Sequence, residues 1–268
     1  MSIRPNQPQT IGGVLDISFQ LYKASIGSVW PLSLLLVLAS SPQSIYALTH
    51  GGLTVNANNP MASLAMYSQP GYYLSVLLGI VLTMWVFGAL VKKMHAIGTD
   101  EQLSVAAALQ FSLGSLLWLV LMALALFAAI FVGLILLVIP GLILMVSMSL
   151  GTILVVVEGK GPIAALSGSH RLVWGDWWRT VAILTVGFLI VIVAYVAVGM
   201  VAGIAVPLIG VGSDPFMAAM ISILVVSAVM NLLVAPYYMA MLLSIYWDLK
   251  LRKEGGDLAA RVGALGTT

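Results

Sequence analysis

Apolar residues run through most of this chain in long blocks separated by short polar stretches. A helix rises about 1.5 Å per residue, so about 20 apolar residues cross a hydrocarbon core of roughly 30 Å. Blocks near that length lie at Pro31–Leu48, Tyr72–Val91, Ser115–Val138, Gly141–Val157, Thr180–Val206 and Phe216–Trp247, and six spans are predicted. Leu113–Val157 is apolar throughout and too long for one tilted helix, so it turns back within itself. Pro140-Gly141 is the strongest breaker there, while Gly133 divides the block more evenly.

A different pattern marks the segments that precede the spans. Thr10–Val29 sets Ile11, Val14, Leu15, Phe19, Tyr22, Ile26 and Val29 at helical spacing, with Gly13, Asp16, Gln20, Lys23 and Gly27 on the other face. Such a helix is expected to lie in the membrane interface. Thr99-Asp100-Glu101-Gln102 has the form of a capping box, opening a helix through Leu109 that reaches span three. Gly161-Pro162 offers a cap and a first-position proline, followed by a polar stripe of Ser167, His170, Arg171 and Trp174 opposite Ile163, Leu166 and Val173. The predicted fold class is therefore all-α: a single integral membrane domain over residues 1–268, built as a six-transmembrane helical bundle with three cytoplasmic amphipathic interfacial helices. The first of these covers residues 10–29, and a cytoplasmic tail covers residues 248–268. Three units beginning near residues 11, 100 and 162 form a candidate internal repeat, in which Ser18–Tyr22 and Ser169–Val173 align their Ser and Leu. The first unit is lengthened by the uncharged loop Thr49–Pro70, with a short helix expected at Met61–Tyr67.

Composition agrees with the pattern: 61% of residues are hydrophobic and 7% charged, with a mean hydropathy of +1.11. A soluble chain is about 25% charged, so this one cannot cover a globule with polar surface. A formal charge of +2 is too small to argue for nucleic acid, and the lack of Cys excludes disulfides, thiolate metal sites and Cys nucleophiles. All 11 Lys and Arg fall on one side of the six-span arrangement: Arg4 and Lys23; Lys92 and Lys93; Lys160, Arg171 and Arg179; Lys250, Arg252, Lys253 and Arg261. The positive-inside rule makes that side the cytoplasm, with both termini there. Met1–Thr10 lacks the layout of a secretory signal, so the N-terminus is expected to be retained.

Candidate chemistry is sparse. No Asp, Glu, Lys, Arg or His lies inside a span, which argues against a proton- or voltage-driven machine. The polar residues at depth are Ser40, Ser41 and Gln43 around Pro42, and Asn231 in span six. They form a candidate intramembrane polar site, read either as interhelical hydrogen bonds or as the lining of a ligand cavity. Lys23, His170, Arg171 and Arg179 are candidate lipid-headgroup contacts. Glu158 is expected to pair with Lys160, Arg171 or Arg179, whereas Asp248, Glu254 and Asp257 are expected on a solvated tail. Trp30, Trp174, Trp177 and Trp178 suit a headgroup-level belt. No catalytic residue, cofactor site or metal site is expected. The expected partners are membrane lipids and either a second copy or another membrane protein.

Several segments together resemble the membrane-domain family fused to some bacterial glycerophosphoryl diester phosphodiesterases, which also occurs as stand-alone six-helix proteins. The likeness rests on Gly13-Val14-Leu15-Asp16 with Ser18-Phe19 and Leu21-Tyr22-Lys23, and on Ile139-Pro140-Gly141-Leu142. It continues through Glu158-Gly159-Lys160-Gly161, Ser169, Leu172 and Gly175-Asp176-Trp177-Trp178 to Asp248-Leu249-Lys250, Arg252, Glu254-Gly255 and Asp257-Leu258. It implies a bacterial inner-membrane protein with six helices. The catalytic barrel of the fused relatives is absent, so no hydrolase activity is implied. Two functions are expected in that order: a non-catalytic envelope scaffold or accessory factor that binds lipid or a partner, or a transporter or channel for a small uncharged or lipidic substrate.

Overall fold

The computed structural model describes residues 2–50, 67–208 and 215–265. Among the described residues there is no strand, and six helical stretches are long and apolar enough to cross a membrane: Ile11–Thr49, Pro70–Gly98, Val105–Ile135, Val138–Glu158, Trp177–Leu208 and Ile221–Lys253. The chain is a multi-pass membrane protein by this measure. The short helix expected at Met61–Tyr67 falls, apart from Tyr67, outside the described residues.

Helix α1 (Ile11–Ala39) opens at Thr10, whose hydroxyl accepts the Gly13 N–H at 3.1 Å. It runs unbroken through Pro31, so the segment expected as a separate interfacial helix is the first part of span one. Of the apolar stripe read from the sequence, only Val14 and Val29 belong to its buried face. Val14, Ser18, Leu21, Ser25, Val29, Leu32 and Leu36 are buried, while Ile11 and Phe19 are 37% and 39% exposed. The reason is steric: small serines let another helix approach, and their hydroxyls are satisfied within α1, Ser18 on the Val14 carbonyl and Ser25 on that of Tyr22. After α2 (Pro42–Thr49) comes α3 (Pro70–Gly98).

The expected capping box is misplaced. Thr99 closes α3, its hydroxyl bonding the His95 and Ala96 carbonyls, and Ser104 caps α4 (Val105–Leu136) by accepting the Ala107 N–H at 3.1 Å. The second expected interfacial helix is thus also continuous with its span. The turn into α5 (Val138–Ser147) falls at extended Leu137, between the two expected breakers. Gly133 and Gly141 flank it because the helices touch there: a Cβ on Gly133 would stand 3.0 Å from the Gly141 Cα. Pro140 sits in the first turn of α5, where its missing N–H has no partner to lose.

Span four is broken again by a turn at Met148–Leu150 before α6 (Gly151–Glu158). The third amphipathic segment does form its own helix, α7 (Pro162–Val173), with Gly161 at its cap. Its inner face holds Ala165, Leu166, Gly168, Ser169 and Val173, whereas Ile163, expected on the apolar side, is 69% exposed. Helix α8 (Trp177–Leu208) and α9 (Pro215–Leu265) complete the chain. Every residue from Met239 to Leu249 is buried, with α1 and α8 as the main neighbours of α9 and α3, α6 and α7 also in contact. A helix packed on all sides needs no polar face, which is why Met239–Leu243 is apolar on every side. The expected solvated tail is therefore corrected: residue 248 lies inside the packed part of α9, and the helix continues to Leu265.

Candidate functional site

Asp248 is 1% exposed yet fully paired. Its Oδ1 accepts the Gln9 backbone N–H at 2.7 Å, and its Oδ2 accepts from Arg179 Nε and Nη2 at 3.2 and 3.1 Å and from Arg252 Nε at 3.0 Å. Both arginines also donate through Nη2 to the Gln9 carbonyl. A buried carboxylate is tolerated only when its oxygens are satisfied and its charge is balanced, and here three separate parts of the chain meet both conditions. The residue before the α1 cap, the start of α8 and the end of the α9 core are tied at one point. The neighbouring N-terminal segment is held as well, since Ile3 and Arg4 donate their N–H groups to the Gly98 carbonyl.

A second cluster surrounds Glu158. Its Oε2 meets Lys160 Nζ at 2.7 Å, and its Oε1 accepts from Lys250 Nζ and the Tyr246 hydroxyl, both at 2.8 Å. The expected partner Lys160 is present. Arg171 and Arg179 are not partners of Glu158, and Lys250 takes their place. These groups border a half-open cavity of about 300 Å³ lined by Glu158, Lys160, Gly168, Arg171, Leu172, Lys250 and Lys253. Gly168 matters at close range: a Cβ there would lie 3.2 Å from Lys160 Nζ, so the bare backbone leaves room for the ammonium. Lys253 reaches across to the Trp174 carbonyl at 2.9 Å.

The candidate intramembrane polar residues do not share a site. Ser40 and Ser41 bond back to the Val37 and Leu38 carbonyls, and Gln43 Nε2 donates to the Tyr72 hydroxyl at 2.9 Å. Asn231 Nδ2 donates to the Ser227 carbonyl of its own helix at 2.9 Å. Of the candidate headgroup contacts, Arg171 lines the basic cavity and Arg179 is committed to Asp248. His170 packs against Trp174 with the rings tilted by 35° and their centroids 5.0 Å apart, and Lys23 is exposed on α1. A further cavity of about 530 Å³ opens between α5, α8 and α9 among Leu142, Met145, Phe188, Val191, Tyr238 and Met241. Among the described residues no group of His, Cys, Asp and Glu is arranged to hold a metal ion.

Sequence reasoning missed the Asp248 centre. The spacing of Asp248 and Arg252 by four residues is a readable intrahelical pair, and the all-round apolar run before it is a readable sign of burial. The Gln9 and Arg179 contacts are long-range and leave no local trace. No curated protein and no solved structure matches the chain. Over residues 9–249, which include Asp248 and Glu158 but stop short of Lys250 and Arg252, the chain matches the family described as a domain of unknown function (DUF7847), and it belongs to that family.

Proposed function

We propose that the chain is a non-catalytic protein of the bacterial inner membrane that binds lipid or a partner protein, as a scaffold or accessory factor of the envelope. In this reading its six helices form one bundle, its cationic end and both termini face the cytoplasm, and α7 lies at the interface with Trp174 and Trp178 at headgroup level. Kinship with the membrane domains of glycerophosphoryl diester phosphodiesterases is part of the same proposal, supported by motif residues Glu158, Lys160, Asp248, Lys250 and Arg252 gathering at one end of the molecule.

The observation that carries the reading is how the acids are used. Catalysis by proton transfer needs a group poised against a substrate, but Asp248 and Glu158 are spent on tying helices together. Transport of an uncharged or lipidic substrate is the second reading, supported by the apolar cavity between α5, α8 and α9. It gains nothing from Gln43 and Asn231, which do not meet. Copurification in native nanodiscs with lipid analysis tests the first reading: a reproducibly enriched lipid or partner protein is expected. Val191→Trp, in the wall of that cavity, separates the two. On the first reading, complementation of a deletion strain should persist; normal unfolding temperature in detergent with lost complementation would favour the transporter.

A further inference from the structure

The basic cavity holds more positive charge than its own carboxylate can balance. Glu158 uses both oxygens on Lys160 and Lys250. Lys253 donates only to a neutral carbonyl, and Arg171, exposed at the edge of the cavity, forms no ion pair or hydrogen bond among the described residues. Two cations are thus left facing one concave space from different helices, α7 and α9, with Lys160 and Lys250, which share the single negative charge of Glu158, behind them. A concave wall concentrates their field. A guanidinium presents paired donors that match a tetrahedral oxyanion, and an ammonium adds a point charge. The volume, about 300 Å³, admits a phosphate group with the start of a substituent.

We propose that this cavity binds a phosphate group, held by Arg171 and Lys253 with Lys160 and Lys250 as the charged floor. The phosphate belongs either to an anionic lipid headgroup or to free phosphate in solution. The lipid source rests on the lipid-binding reading above, and the free source does not. Residues in the cavity come from α6, α7, α9 and the α6–α7 connection, so an occupant would brace the broken span four against α9. Glu158 sets the selectivity: its charge repels an anion that enters too deeply and holds the two lysines in place, so the outer pair makes the contacts.

The test uses the purified full chain in uncharged detergent, titrated with inorganic phosphate against a chloride control and followed by unfolding temperature. Phosphate is expected to raise that temperature in the parent. Arg171→Gln and Lys253→Gln should each weaken the apparent Kd about tenfold, the loss of roughly one charge-assisted hydrogen bond, and Arg171→Lys should recover part of it. Because Arg171 touches nothing it must hold, Arg171→Gln should unfold like the parent without phosphate. A second arm reconstitutes parent and Arg171→Gln in phosphatidylcholine nanodiscs with and without phosphatidic acid, and measures the acid retained on repurification. Loss of retention in the variant identifies the lipid as the source; phosphate binding with no variant-sensitive retention identifies the free anion. Insensitivity of both arms to Arg171→Gln, with phosphate binding also insensitive to Lys253→Gln, overturns the proposal. Phosphatidic acid retained equally by parent and variant, with phosphate binding also unchanged by the substitutions, overturns it while leaving lipid binding elsewhere on the protein intact.

Discussion

Asp248 decides whether the polar end of the molecule holds together. Two guanidiniums and a backbone amide converge on its oxygens in a site almost closed to solvent. Breaking a fully buried ion pair from one side costs about 3–5 kcal/mol, and less is lost here because the Arg179 and Arg252 side chains are 18% and 30% exposed. Asp248→Asn should therefore lower the unfolding temperature in detergent, although the side chain keeps its size and one acceptor. At the same scale, Asp16→Asn, on the exposed face of α1 where its carboxylate only accepts from Gln20, should change little. An equal, small effect of both substitutions would mean that the Asp248 cluster contributes no net stability. Only part of this was legible beforehand. Arg252 lies one helical turn from Asp248, but Gln9 and Arg179 reach it through the fold, and a charge count along the tail reads as solvated when nothing marks the helix as enclosed.

At the level of elements, span four shows how a break can exist without a sequence breaker. Met148, Ser149 and Leu150 carry neither proline nor glycine, yet the helix stops and restarts there. The partner is Ser169 on α7, whose hydroxyl donates to the Ser147 carbonyl at 2.8 Å and accepts the Leu150 N–H at 3.1 Å. The break is satisfied from another helix, so only a three-dimensional structure reveals it, whereas the Leu137 turn was foreshadowed by glycines and a proline on either side. Ser169→Ala leaves a buried carbonyl and a buried amide without partners, at about 1–3 kcal/mol each. The variant is expected to melt well below the parent. Ser167→Ala, on the exposed side of the same helix, is expected to melt with it. The serines of α1 follow the same logic: the stripe packed against other helices carries small residues, because close helix contact favours them over large ones.

For the whole molecule, the six apolar stretches were readable from hydropathy alone, since about 20 consecutive apolar residues have few other stable environments. What hydropathy could not show was where helices leave the membrane, because α1, α3 and α4 continue past the apolar blocks without a change in backbone. The cations meet at one end in space: Arg179, Arg252, Lys160, Lys250 and Lys253 all belong to the two clusters or the cavity beside them. That convergence gives the orientation proposal a direct test. The chain contains no Cys, so single cysteines report without background. His50, exposed where α2 ends, and Glu101, exposed between α3 and α4, are separated by the α3 span. In intact cells stripped of their outer barrier, an impermeant maleimide should label His50→Cys, and should label Glu101→Cys only after the inner membrane is opened. The reverse pattern would invert the molecule and place its cationic end outside, against the positive-inside rule. Labelling of both positions from the same side would mean that α3 does not cross, and the six-span arrangement would fall with it.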